Sequence, residues 1–124
     1  RVRMNEIKEV LNYFRMLPKY KGYSYLEDAI QLCREHSEYL TQITKVVYPE
    51  LAKKYHVTPW SVERNIRTII DKSWQMDRRL CEGQESRYNK FFEYNVIIRP
   101  SNAAFISMVV VRLEENQGVL QGKG

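Results

Sequence analysis

Apolar residues recur along this chain of 124 residues at spacings of three and four, with short polar breaks between the runs. In residues 6–16 the positions Ile7, Val10, Leu11 and Phe14 follow i, i+3, i+4 and i+7, the buried stripe of one helix. Pro18 and Gly22 are its expected terminators. The stretch S-Y-L-E, Ser24 to Glu27, has the spacing of a capping box, in which the serine accepts from the N3 amide and the glutamate reaches back to the cap amide. A second helix is expected to open there, with Leu26, Ala29, Ile30 and Cys33 on one face. These two helices read as scaffold.

Residues 41–55 keep the helical pattern but contain Pro49, which is tolerated at a helix start and disruptive inside one. The expectation is a kink or a fresh helix near Pro49, burying Val47, Leu51 and Tyr55. Thr58 has the chemistry of an N-cap and Pro59 that of a first helical residue, so another helix is expected from there to about Trp74. Residues 91–100, FFEYNVIIRP, alternate enough to suggest a strand, although no partner strand is apparent. Ser101 or Asn102 then caps a last helix over residues 103–116, with Phe105, Ile106, Val109, Val110 and Leu113 inside. Its three successive valines lower the helix propensity. The tail QGVLQGKG is expected to fray.

The helix after Thr58 carries the informative chemistry. On a wheel of about 100° per residue, Val62, Ile66, Ile69 and Ile70 form one face. Trp60, Arg64, Arg67 and Asp71 fall opposite, with Glu63 on the flank beside Arg67, and Ser61 and Thr68 on the other flank. Leu51, Tyr55, Val57 and Val62 match the buried positions of a helix-turn-helix, and Ala52 the small residue at its crossing. Two positions depart from that plan. His56 stands where glycine often makes the turn, and Asn65 holds a place that is usually apolar, with Ile66 substituting one residue later.

In a helix that enters the major groove, arginine can donate two parallel hydrogen bonds to guanine O6 and N7, and glutamate can accept from cytosine N4. Glu63, Arg64 and Arg67 are therefore the candidate base readers, favouring a short G/C-containing core. Trp60, Ser61 and Thr68 are candidates for a base or backbone contact, and Lys45, Lys53 and Lys54 for phosphate contact. The same residues have a plainer reading. Glu63 and Arg67, at i and i+4, can be a surface pair contributing about 0.2–0.5 kcal/mol, and each lysine can simply be solvated.

Charge supports the first reading. The net charge is +5, and residues 41–80 hold eight Lys/Arg against four acids, an excess of +4 in that third of the chain. A local basic excess is the footprint of a phosphate-backbone binder. Other classes are disfavoured. No apolar run approaches eighteen residues, Met108 to Val111 being only four, so no membrane partner is expected. The charged, amphipathic start resembles no signal peptide, and a first residue of Arg predicts a fragment or processed chain. Cys33 and Cys81 are far apart and are expected as reduced thiols in a cytoplasmic protein. Together with His36 and His56, expected at the surface, they show no metal-ligand spacing. No nucleophile, base and orienting acid converge, and no glycine-rich phosphate loop exists, so neither catalysis nor a cofactor is expected. Tyr20, Tyr23 and Tyr25 read as packing and capping residues and Trp74 as core. Trp60, exposed on the wheel, is expected to pack on the scaffold or touch a DNA sugar. A protein-interaction module without specific DNA binding is the alternative, motivated by Trp60 and by residues 75–101.

Four blocks add a resemblance. KGYSYLEDAI (21–30), ITKVVYPELAKKY (43–55), SVERNIR (61–67) and NAAFISMV (102–109) resemble the C-terminal effector domain of the master sporulation response regulator of endospore-forming bacteria, in order and in most spacings. The resemblance covers nearly the whole chain and implies an all-α domain of about six helices with a helix-turn-helix, unlike a winged helix. It implies one effector domain over residues 1–124, a phosphorylatable receiver domain outside this chain, and binding to a short double-stranded DNA box resembling TGTCGAA. Tandem pairs of domains on adjacent boxes and RNA polymerase sigma factor are the implied partners. The V-E-R-x-I-R pattern puts Glu63, Arg64 and Arg67 at the DNA. Ser61 stands where the family often has a basic residue and Trp60 where it has a small one. The segment 75–101 is longer and more charged than the family pattern. The resemblance also replaces the strand at 91–98 with an extended or irregular connection.

Overall fold

The computed structural model describes the backbone of residues 2–82 and 84–123 and the side chains of residues 6–82 and 84–115. Six α-helices follow one another: α1 (Val2–Tyr13), α2 (Lys21–Glu35), α3 (Tyr48–Tyr55), α4 (Pro59–Leu80), α5 (Arg87–Phe92) and α6 (Asn102–Lys123). A 3-10 turn (Ser37–Thr41) and a π-helical turn (Ile43–Val47) link α2 to α3. No strand occurs among the described residues, so the fold is all-α.

The stripe of α1 is buried as expected, with Ile7, Val10, Leu11 and Phe14 all inside. Its end lies earlier than residue 16, and neither Pro18 nor Gly22 makes it. Arg15 turns into the left-handed region at φ 62, Met16 N–H donates to the Leu11 carbonyl at 3.0 Å and Arg15 N–H to that of Asn12 at 2.9 Å. That is a Schellman closure, with Leu11 and Met16, the two positions it brings together, both buried. The capping box at Ser24 does not form either. Helix α2 starts a turn sooner at Lys21, behind an extended Tyr20 that supplies no side-chain cap. Its face of Leu26, Ala29, Ile30 and Cys33 is fully buried. Gly22, inside this helix, has a packing role: a Cβ there would collide with the backbone carbonyl of Asn65, so α2 and α4 cross at closest approach where a side chain is missing. Tyr23 and Tyr25 are packing residues, Tyr23 also donating from its hydroxyl to Asn12 Oδ1 at 2.8 Å.

Pro49 sits in the first turn of α3, so a fresh helix does begin there, with the π-helical turn feeding it. Thr58 Oγ1 accepts from Ser61 N–H at 3.0 Å and Pro59 opens α4. That helix runs six residues past Trp74. The sequence hides the extension because the inward positions beyond Ile70 are polar: Ser73 and Asp77 are 3% and 2% exposed. They are held by hydrogen bonds instead of apolar contact. Ser73 Oγ donates to the Phe14 carbonyl at 2.6 Å and accepts from the Tyr88 hydroxyl at 2.7 Å, while Asp77 Oδ1 accepts from Arg87 N–H at 3.0 Å. Trp74 is half-buried at the margin of the core, perpendicular to Tyr88, with the Arg78 guanidinium 3.9 Å from its ring centroid.

The strand reading of 91–100 fails. Ser86 caps a short helix, α5, through Asn89 N–H at 2.9 Å, and Phe91 and Phe92 belong to it. The buried positions Tyr88, Phe92 and Val96 recur every four residues, not every two. Glu93, left-handed at φ 62, ends α5, and residues 93–101 form an irregular connection. Ser101 is the cap of α6, accepting from Ala104 N–H at 3.1 Å, and Phe105, Ile106, Val109, Val110 and Leu113 are buried despite the valines. Packing outweighs local propensity here. The helix continues through Lys123, where fraying was expected. Phe14 is the hub of the core, with ring centroids 4.5 Å from Tyr88, 5.2 Å from Phe91, 5.3 Å from Phe105 and 5.7 Å from Phe92.

Candidate nucleic-acid interface

Helix α3, a three-residue turn and α4 form the helix-turn-helix unit anticipated from spacing. Leu51 and Ala52 are buried beneath it, and Tyr55 and Val57 are half-buried. The turn is made by His56 at φ 58, ψ 46, with Val57 N–H bonded to the Ala52 carbonyl at 3.0 Å. Glycine would adopt this conformation without strain; histidine adopts it at a cost of roughly 1–2 kcal/mol. Tyr55 packs on Tyr25 at 4.9 Å and donates its hydroxyl to Asp28. Burial, then that hydrogen bond, push the Tyr55 phenol well above the usual range, so it stays neutral.

Val62, Ile66, Ile69 and Ile70 are 0–2% exposed, which fixes the rotation of α4 and turns the opposite side to solvent. Trp60 is 64% exposed, and the Arg64 guanidinium lies 5.1 Å above its ring. Arg64, Arg67 and Thr68 are exposed and Glu63 half-exposed, with Arg67 Nη2 3.4 Å from Glu63 Oε1. Trp60 therefore does not pack on the scaffold; it supports an arginine at the front of the helix. Ser61 is half-buried on the flank, its carbonyl accepting from Asn65 Nδ2 at 2.8 Å. That bond satisfies the polar side chain in the usually apolar place.

The three lysines differ. Lys45 and Lys53 are exposed and have no carboxylate partner among the described residues. Lys54 Nζ lies 2.8 Å from Asp28 Oδ2 and over the Tyr55 ring at 5.3 Å, so its charge is already partly used within the fold.

A group of residues invisible as a site in the sequence aims α4 from behind. Asn102, expected as a possible cap, is buried and donates from Nδ2 to the Glu63 carbonyl at 3.0 Å and to the Tyr48 hydroxyl at 3.1 Å. Arg99 donates to the Arg67 carbonyl at 3.1 Å and pairs with Asp71. The carbonyls gripped are those of Glu63 and Arg67 themselves. One signal was available: of the adjacent pair Ser101 and Asn102 only one could cap α6, which left the other free for a tertiary role. Burial also raises the Tyr48 phenol, and the bond to Asn102 acts against that.

Among the described residues no group of His, Cys, Asp and Glu could hold a metal ion, and no helix is long and apolar enough to cross a membrane. Cys33 and Cys81 are free thiols; burial pushes Cys33 up to about 11. His36 and His56 are exposed.

A buried apolar stripe under α4, a capped turn ahead of it and cations projecting outward define a helix-turn-helix domain. The family described as Sporulation initiation factor Spo0A C terminal matches residues 7–113, and the chain belongs to that family. It is thus a DNA-binding domain of a transcription regulator of sporulation, the output part of a response regulator.

Proposed function

We propose that α4, over residues 59–74, lies in the major groove and reads a short box resembling TGTCGAA through Glu63, Arg64 and Arg67. The observation that carries this is their joint projection from the solvent side of a helix whose other side is locked in the core. The Glu63–Arg67 ion pair does not stand in the way. An exposed pair of this kind contributes about 0.2–0.5 kcal/mol, whereas a bidentate arginine–guanine contact discriminates by about 1–3 kcal/mol. Base contact wins that exchange, and Glu63 is released to accept from cytosine. Trp60, Ser61 and Thr68 border the reading residues and contact a base or the backbone. Lys45 and Lys53 supply phosphate contacts, and Lys54 joins only by leaving Asp28.

On this reading residues 1–124 act as one effector domain downstream of a phosphorylatable receiver, in the cytoplasm, without catalysis. Two such domains occupy tandem boxes and meet the RNA polymerase sigma factor. A gel-shift titration of a TGTCGAA duplex against a scrambled duplex tests it. A preference for the box across salt concentrations is expected, and equal affinities would refute base reading. A second reading has its own observation: Ile97 and Ile98 are 73% and 75% exposed on the connection before α6. A protein-docking module would retain a partner after nuclease treatment and give no DNA shift.

A further inference from the structure

A second set of cations lies away from the base-reading residues, at the junction of the α1–α2 connection with the later half of α4. The ammonium groups of Lys19 and Lys72 approach the same ring, that of Tyr20, at 5.4 and 5.6 Å from its centroid. Lys21 follows Tyr20 directly, and Arg79 stands two turns beyond Lys72. All four cations are exposed, and none has a carboxylate partner among the described residues. The acid on this side of the core, Asp77, is buried and occupied by Arg15 and by Arg87 N–H. A cleft of about 280 Å³ opens beside them, lined by Tyr20, Lys72 and Arg79, with Met16 and Ile69 among its walls. Cations gathered on one aromatic ring repel one another, and an external anion relieves that repulsion.

The position along α4 says which anion. Lys72 follows Thr68 by four residues and so shares its flank. It lies eight residues beyond Arg64, about 12 Å along the axis at a rise of about 1.5 Å per residue. With Arg64 over base edges, Lys72 stands past them on the Thr68 flank, towards the backbone that borders the box. Helix α2 is pressed against α4 where Gly22 meets the Asn65 carbonyl, which carries Lys19 and Lys21 to the same side.

We infer that Lys19 and Lys72, gathered on the Tyr20 ring with Lys21 next to it in the chain, form a second phosphate clamp that grips the DNA backbone beside the box. This rests on the reading of α4 as the groove-entering helix. The test is a fluorescence-anisotropy titration over roughly 50–200 mM salt. It uses the flanked box and a scrambled duplex, with wild type and a K19A/K72A variant. Each lysine removed should flatten the slope of log K against log salt by about 0.9, so that the affinity loss across that range shrinks about 3.5-fold per lysine. The box-to-scrambled ratio should stay unchanged, and so should the melting temperature, because both side chains are exposed. Box preference with an unaltered slope in the variant overturns this clamp alone, as an acidic protein surface would if it were the true occupant. Absence of box preference with a flattened slope overturns base reading by α4 and leaves the clamp. Absence of any DNA binding overturns both.

Discussion

The two halves of α4 are one continuous helix held in the core by opposite means. From Pro59 to Ile70 the inward positions are Val62, Ile66, Ile69 and Ile70, and the outward ones are mostly ionic. From Asp71 to Leu80 the buried positions are Ser73 and Asp77, each hydrogen-bonded to a neighbouring element. An apolar face fixes the rotation of a helix while leaving its far side free to carry chemistry. A polar buried face ties the helix to particular partners, here the end of α1 and the start of α5. The first half presents the base-reading face; the second, which also carries Lys72, braces it.

Substitutions should separate these modes of support. The largest effect is expected at Phe14, the hub against which both α4 and α5 are braced: Phe14→Ala should destabilise by about 3–5 kcal/mol, read by denaturant unfolding. A loss below ~1 kcal/mol would mean that the aromatic cluster is not central. Asp77→Ala removes the acceptor for Arg87 N–H and the partner of Arg15, leaving a buried donor unpaired, so a loss of about 1–3 kcal/mol is expected. Gly22→Ala pushes a methyl into the Asn65 carbonyl. It should cost a similar ~1–3 kcal/mol through overpacking and should weaken DNA binding by displacing α4. If it left stability and binding alike intact, the α2–α4 crossing would have no part in aiming the helix. The smallest effect is expected at the turn. His56→Gly relieves left-handed strain of roughly 1–2 kcal/mol but loosens the unfolded chain by about 0.4–1 kcal/mol, so melting should show a net gain of no more than about 1.6 kcal/mol. A clear loss would show that the imidazole makes a contact that its exposure does not suggest.

The same contrast explains what could be read from the sequence. The unit from Leu51 to Ile70 was legible because apolar periodicity, a threonine cap and a proline at the first position all point one way. The six-helix class came from the resemblance; periodicity alone suggested a strand at 91–98 and stopped α4 at Trp74. The first came from reading a period of four at Tyr88, Phe92 and Val96 as a period of two; the second has another cause. Where Ser73, Asp77 and Tyr88 replace aliphatic contacts with hydrogen bonds, a hydrophobic pattern carries no signal. The end of α1 was misplaced because an arginine, not glycine, takes the left-handed position. The capping box at Ser24 was a true spacing in the wrong place, since Tyr20 and Lys21 had already opened the helix. At the candidate site, the outward set of Trp60, Glu63, Arg64 and Arg67 was legible from the wheel. The supports from Asn102 and Arg99 were not, because contacts between residues so distant in sequence leave no local periodicity.

The central claim is that the outward face of α4 reads bases. It is tested most directly by measuring affinity for the TGTCGAA duplex and for its scrambled form, with wild type and Arg64→Ala side by side. Losing a bidentate contact of about 1–3 kcal/mol should lower the box-to-scrambled ratio by roughly 5- to 150-fold while nonspecific affinity falls only slightly. An Arg64→Ala protein that keeps the full wild-type ratio would contradict the account.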